Sequence, residues 1–405
     1  LHAIRFHFRP VRYILTRWLA GRRPSFALGP LGSVSLDRVP VPELPGPDWV
    51  RIETSISGVC GSDLAALTAH DSFTLEPFAA FPFTFGHENV GRIDQLGADV
   101  EGWEVGERVI VNPMLACRQR GFEIVCDPCA QGEYGLCRRT TEGATGGGPM
   151  IGYSPATGGG WAPYFLAHQS QLLRAGELDD EVAVLADPLA SALRPVLLHP
   201  PKTDDTILII GAGTIGILTI RALRQIGWEG EIIVSGRYPF QLELAEAAGA
   251  DILLRSRDEL YTWAGSLRDA RSYKPSLAGR FIEGGPSLIY DTVGTEGSVR
   301  DSLALAREGG RIILVGAAAQ LKADWTRLWY RQLTLAGVFA YGHAPYEGAE
   351  RDIYEITIEE LNKGHFTDLG MVTHIFPLEE YRAGLIAALD KSGHRSVKVA
   401  FRPNG

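Results

Sequence analysis

Residues 206–237 read TILIIGAGTIGILTIRALRQIGWEGEIIVSGR, and no other stretch limits the fold so tightly. An apolar, β-branched run at 207–210 leads into GAGTIG. This sets Gly211, Gly213 and Gly216 at G-x-G-x-x-G spacing, with Thr214 and Ile215 inside the turn. Ile217, Ile220 and Leu223 then share one face of a predicted helix, and a second strand-like run follows at 231–235. Three spaced glycines alone are a weak signal. In the order strand, turn, helix, strand they mark a βαβ unit that binds a dinucleotide. The first glycine permits the tight turn, the second admits a pyrophosphate to the backbone, and the third lets helix and strand pack closely. Phosphate oxygens then meet unpaired N–H groups at the positive end of the helix. The alternative is a tight turn that binds nothing.

The residues after the second strand bear on which dinucleotide is held. An NAD site usually has Asp or Glu there, accepting from the ribose 2′-OH. Here Ser235, Gly236 and Arg237 occupy the place, with no carboxylate. A guanidinium suits a 2′-phosphate, so NADP(H) is expected over NAD(H). The other reading makes Arg237 a solvated surface residue. Two more strand-like runs end at Thr292-Val293 and at Gly316-Ala317. In a parallel sheet, ligands lie at such carboxyl ends, so these four residues are cofactor-lining candidates.

Five cysteines are present. Cys126-x₂-Cys129-x₇-Cys137 has zinc-ligand spacing, and eight residues separate Cys117 from Cys126. Four thiolates make a closed tetrahedral site that leaves no position for substrate, hence a structural zinc.

At 405 residues two domains are expected. The net charge of -9 argues against nucleic acid as a partner. No apolar run reaches membrane-spanning length, and arginines interrupt every apolar stretch before residue 25, so a cytoplasmic protein is expected. Val11, Ile14, Leu15, Trp18 and Leu19 fall at helical spacing among Arg12, Arg17, Arg22 and Arg23. Such a helix suits either a membrane surface or the body of the protein. Packing on the body is the expectation, with no membrane partner. Residues 143–160 are glycine-rich and predict turns and a mobile loop, and 251–285 predict an extended helical stretch.

Seven segments in order, GVCGSD, GHENVG, the four-cysteine run, ADPLA, GAGTIG, DTVG and GGRIILVG, resemble the zinc-dependent medium-chain dehydrogenase/reductase superfamily, the alcohol and polyol dehydrogenases. The resemblance covers nearly the whole chain. It implies an α/β protein in which a Rossmann domain, 186–342, is inserted into a β-rich, GroES-like catalytic domain, 1–185 and 343–405. It implies two zinc ions per chain. By matching position, Cys60 and His87 are ligands of the catalytic zinc. Asp187 stands where the family has Cys, Glu or occasionally Asp, and Glu88 is the neighbouring glutamate that can approach the metal. Ser62 matches the relay hydroxyl and Asp63 the acid that orients the histidine. The implied reaction moves hydride between NADP(H) and an alcohol or carbonyl compound, whether alcohol, polyol or sugar-like, in a homodimer or homotetramer paired through the strand at 333–341. Each residue also has a plainer use: Cys60 as a buried thiol, His87 as a core histidine, Asp187 as a helix cap.

The pattern departs from the family in three places. Two residues usually separate the first two structural cysteines, which leaves Cys117 displaced by the spacing. The gap between Cys60 and His87 is long and carries Phe73, Phe78, Phe81, Phe83 and Phe85, a set expected to reshape the substrate cleft. Position 65 is Ala where a proton-passing histidine is usual, so the proton exit is open. Two other functions stay open: reduction of a C=C or C=N bond on the same scaffold, and nucleotide binding without turnover. The intact set Cys60, Ser62, His87 and Asp187 counts against both.

Overall fold

Strands Trp49–Gly58 and Asn89–Leu96 run antiparallel and bring Ser57 opposite Asn89. Their alternating apolar residues, Val50, Ile52, Ile56, Val90 and Ile93, are buried, as a sheet with one face on the core requires. The computed structural model describes residues 1–21, 23–367 and 369–404. In these the chain forms two units, one of residues 1–187, 341–343 and 350–405, the other of 188–340 and 344–349.

The first unit holds the seven-stranded sheet. Its order is Val372–Phe376, Lys398–Phe401, Trp49–Gly58, Asn89–Leu96, Arg108–Val111 and Leu172–Arg174, with Tyr164–His168 also paired to Trp49–Gly58. A smaller sheet places His2–Phe6 between Val34–Arg38 and Phe83–Thr84. The glycine-rich segment 143–160 wraps a buried arginine. Arg120 donates to the carbonyls of Leu115 (2.8 Å) and Gly148 (2.7 Å) and to the Thr145 hydroxyl (3.0 Å). Its turns are thus held by a charge-assisted network the glycine pattern did not reveal.

The second unit is a six-stranded parallel sheet. Its order is Ile252–Leu254, Ile232–Ser235, Ile207–Ile210, Leu288–Asp291, Arg311–Leu314 and Thr334–Gly337. The first strand in sequence lies centrally and the order reverses beside it, the doubly wound pattern whose switch point takes a dinucleotide. Ile207–Ile210 is buried at every residue, as a strand covered on both faces must be.

One expectation needs correction and another holds through different residues. The stretch 251–285 is not one long helix. Ser256 caps a helix over Arg257–Ser266 by accepting from the Glu259 N–H. The chain then extends into paired strands Arg271–Tyr273 and Phe281–Glu283. Pro275 and Gly279 between these strands suit a turn, not a helix. The N-terminal helix, Pro10–Ala20, does pack on the first unit, but through Tyr13, Thr16 and Ala20. The larger apolar side chains Val11, Ile14, Leu15 and Trp18 are exposed.

Candidate active site and metal centres

Three strand ends build the first site. Pairing of Ser57 with Asn89 sets Gly58 beside Glu88, whose carbonyl accepts from the Gly58 N–H at 2.9 Å. The last strand adds Lys398, since Val59 N–H bonds the Val399 carbonyl at 2.8 Å. Cys60 then caps the helix Gly61–Leu67, and its N–H donates to Asp63 Oδ2 at 2.9 Å. The sulfur of Cys60, a ring nitrogen of His87 and a carboxylate oxygen of Glu88 all lie within 4.8 Å of one another. The other Asp63 oxygen, Oδ1, sits 3.3 Å from His87 Nδ1. A proton on Nδ1, facing that carboxylate, would leave the Nε2 lone pair for a metal. Burial opposes charge on the His87 ring, yet the Asp63 carboxylate and the Cys60 thiol raise its pKa well above the usual value. A cation bound here takes the place of that proton.

Glu88 and Lys398 form a buried ion pair, and Lys398 Nζ also donates to the Val59 carbonyl at 3.2 Å. Burial raises the Glu88 pKa, while Lys398 opposes the rise. Gly58 makes the pair sterically feasible: a Cβ there would lie 1.9 Å from Glu88 Oε2 and 2.9 Å from Lys398 Cε.

Asp187 stands outside the cluster of three. It lies in the first turn of the helix Ala186–Leu198, and its Oδ1 accepts from the hydroxyls of Tyr341 (2.9 Å) and Tyr354. Burial and the Asp187 carboxylate raise both phenols well above their usual pKa, so they remain donors.

Ser62, in the first turn of Gly61–Leu67, lies close enough to Tyr153 to act on its phenol, and the Tyr153 hydroxyl donates to Asp63 Oδ1 at 3.1 Å. The Tyr153 ring also faces His87, with centroids 5.7 Å apart. Further rings continue outward in contact: Phe83 lies 5.1 Å from Tyr153, Phe81 5.8 Å from Phe83, and Phe8 4.9 Å from Phe81. Of the inserted phenylalanines, Phe83 and Phe85 are buried in this aromatic run, Phe81 joins it at the surface, and Phe73 and Phe78 are exposed.

The four remaining cysteines converge despite the unusual spacing. The sulfurs of Cys117, Cys126, Cys129 and Cys137 lie within 4.8 Å of one another. Backbone N–H groups point at them, from Cys126 to the Cys117 sulfur at 3.3 Å and from Arg138 to the Cys126 sulfur at 3.5 Å. Burial tends to raise the Cys126 pKa, but such donors outweigh it and lower the thiol to about 6, whereas burial raises Cys129 and Cys137. A thiolate is the form a metal takes.

In the second unit, Gly211 adopts φ 108°, which favours glycine, and a Cβ there would strike Thr292 Oγ1 at 2.6 Å. Thr292 Oγ1 donates to the Ile210 carbonyl at 2.9 Å. Gly213 caps the helix Thr214–Gln225, and a Cβ there would meet open space, as a turn that admits a ligand requires. At Gly216 a Cβ would lie 1.9 Å from the Gly211 carbonyl oxygen. Thr214 and Ile215 are half-buried in the first turn. Ser235 ends its strand, Gly236 approaches Ala212, and Arg237 is exposed. Val293 and Gly316 touch across the ends of their strands, a Cβ on Gly316 lying 2.3 Å from the Val293 carbonyl carbon, and Ala317 follows.

Two sequence models match this chain: the alcohol dehydrogenase GroES-like domain over residues 46–177 and the zinc-binding dehydrogenase domain over 214–355. The starvation-sensing protein RspB of Escherichia coli K12 is 30% identical over 363 residues, which are 88% of this chain and 93% of RspB. The chain belongs to the zinc-dependent medium-chain dehydrogenase/reductase superfamily. Sorbitol dehydrogenase of Bacillus subtilis is 26% identical to this dehydrogenase, over 92% of this chain and 94% of its own. Two solved structures share the fold. A zinc-binding dehydrogenase of Sinorhizobium meliloti bound to NADP has TM-score 0.69 at 24% identity, covering 91% of this chain and 96% of that one. An RspB from E. coli CFT073 with NADH has TM-score 0.72 at 22% identity, covering 99% of each.

This dehydrogenase is therefore an oxidoreductase of the alcohol and polyol dehydrogenase kind, with donor sets that fit zinc. No helix among the described residues is long and apolar enough to cross a membrane. Tyr153, Lys398, Tyr341 and Tyr354 escaped sequence reasoning. They lie far along the chain from the motifs they serve, and nothing in their local pattern marks them.

Proposed function

We propose that this enzyme transfers hydride between NADP(H) and an alcohol/carbonyl pair whose substrate carries a bulky apolar group. The observation that carries the reading is the cluster of Cys60, His87 and Glu88 with the Ser62 hydroxyl linked to it through Tyr153 and Asp63. A zinc bound by that cluster supplies Lewis-acid polarisation of the substrate oxygen. Cys60 and His87 would hold the ion with Glu88 as third donor, in place of Asp187, which stands at the family's third-ligand position but is bonded to Tyr341 and Tyr354 outside the cluster. Asp63 fixes the His87 tautomer. Ser62 takes the substrate proton and passes it to Tyr153, since each hydroxyl both donates and accepts.

Arg237 and the absence of an acid beside it support NADP(H). The turn from Gly211 to Gly216, with Thr292, Val293, Gly316 and Ala317, holds the dinucleotide. The phenylalanine-rich insertion between Cys60 and His87 supports an apolar substrate, with Phe81 at its exposed end and Phe83 and Phe85 packed into the core beneath. A polyol substrate is the second reading, favoured by the likeness to sorbitol dehydrogenase. A second zinc sits among Cys117, Cys126, Cys129 and Cys137, and the exposed edge strand Thr334–Gly337 pairs two copies in a homodimer or homotetramer.

The test is a panel of apolar alcohols, polyols and their carbonyl partners, with kcat/KM measured for NADP and NAD. Preference for NAD removes the cofactor assignment, and turnover of polyols alone removes the apolar one. Ser62→Ala should lower kcat strongly with cofactor affinity unchanged. Tyr153→Phe should lower it less and shift the pH profile. Metal analysis should find two zinc per chain.

A further inference from the structure

The helix Pro10–Ala20 turns its bulkiest apolar residues outward. Val11 is 72% exposed, Ile14 62% and Trp18 61%, at the i, i+3, i+7 spacing of a single stripe. Beside it the turn Phe73–Phe78 exposes Phe73, Leu75 and Phe78. The two segments are joined. The Tyr13 and Phe73 rings lie 6.0 Å apart, the Arg17 guanidinium sits 5.1 Å over the Phe73 ring, and Arg17 donates to the Asp71 carbonyl at 3.5 Å. An exposed apolar patch built from two packed elements marks a contact surface.

Its charge says what it contacts. Residues 9–23, the helix and its ends, hold five arginines and no acid, in a chain of net charge -9. Arg9 and Arg12 are exposed at the start of the helix and Arg23 just beyond its end. Glu76 is the acid among the exposed residues of the turn. Apolar residues on one face with flanking arginines are what an interfacial helix needs: the apolar stripe enters the acyl boundary while the guanidiniums meet headgroup phosphates. The helix is already folded on the first unit, so contact with lipid carries no ordering cost. A second copy fits poorly, because two such faces bring arginines together.

We propose that this face docks the enzyme on an anionic bilayer surface, with Val11, Ile14, Trp18, Phe73, Leu75 and Phe78 entering the interface. This revises the expectation that the helix is only a packing element. The proposal stands apart from substrate and cofactor, so either can fail alone.

The test is flotation of the full-length chain with phosphatidylcholine vesicles, with and without phosphatidylglycerol. The chain should float with the anionic vesicles, less so at high salt, and not with phosphatidylcholine alone. Ile14→Ser/Trp18→Ser should lose binding about tenfold or more, from the apolar area withdrawn. Arg9→Ser/Arg12→Ser should lose it by about tenfold at low salt. Both pairs are exposed, and an unchanged thermal midpoint verifies their fold. No flotation of the wild type with anionic vesicles at low salt overturns the proposal. So does binding that survives the Ile14/Trp18 change. A drop in oligomeric state caused by that change, without vesicle binding, assigns the face to a second copy and also overturns it.

Discussion

Asp63 Oδ1 lies 3.3 Å from His87 Nδ1, and the same carboxylate accepts from the Cys60 N–H through Oδ2. One acid thus positions two of the three donors in the cluster. Asp63→Asn keeps the shape but replaces a charged acceptor. If the amide nitrogen turns toward either donor, a contact is lost outright. Zinc affinity at this site should fall by about tenfold to a hundredfold. Competition with a chromogenic chelator reads this directly, and unchanged retention would mean the ring is oriented by other groups.

Lys398 tests the buried charge next to the Cys60–His87–Glu88 cluster. Its ammonium and the Glu88 carboxylate are both almost wholly buried. Removing one partner leaves the other charged and unpaired. Lys398→Met should therefore destabilise the first unit by about 3 to 5 kcal/mol, read as a shift in the denaturant midpoint. Adding Glu88→Gln should restore much of that loss. If the double variant is no more stable than the single one, the pair is not what holds Lys398.

What the sequence revealed and concealed follows from range. The glycine turn was legible because each glycine answers a local demand, φ at Gly211 and close approach at Gly216. The meeting of Cys60 and His87 was legible because each stands beside a strand end with its motif intact. The Lys398–Glu88 pair was not, since it is made by register between distant strands. The helix Pro10–Ala20 misled for another reason. Periodicity reports that an apolar stripe exists, not which side the protein covers, and here small residues and Tyr13 face inward. The hairpin within 271–283 was hidden by a polar stretch with no period of its own.

Cys117 joins its cluster across a longer spacing than the family uses, so its part there is worth measuring. With Cys117→Ser the remaining three sulfurs hold zinc less tightly. The variant should lose one zinc per chain and about 3 kcal/mol or more of stability. The fraction that stays folded should keep its kcat, because the other cluster is untouched. A variant that keeps both ions and full stability would place Cys117 outside the ligand set.

Asp71 links stability to pH. Burial, reinforced by the nearby Asp63 carboxylate and opposed by Arg17, raises its pKa to about 7. A carboxyl raised in the fold binds its proton more tightly there than in the unfolded chain. Its contribution is complete below the unfolded pKa, near about 4, and is lost as pH rises through about 7. Asp71→Asn removes the titration and keeps the neutral shape. The variant should match the wild type near about pH 4 and exceed it in alkaline buffer by on the order of 2 kcal/mol, a value reduced for partial exposure. Urea midpoints for both proteins across that range give the difference. A gap that stays constant with pH would show that Asp71 ionises as readily in the fold as in the unfolded chain.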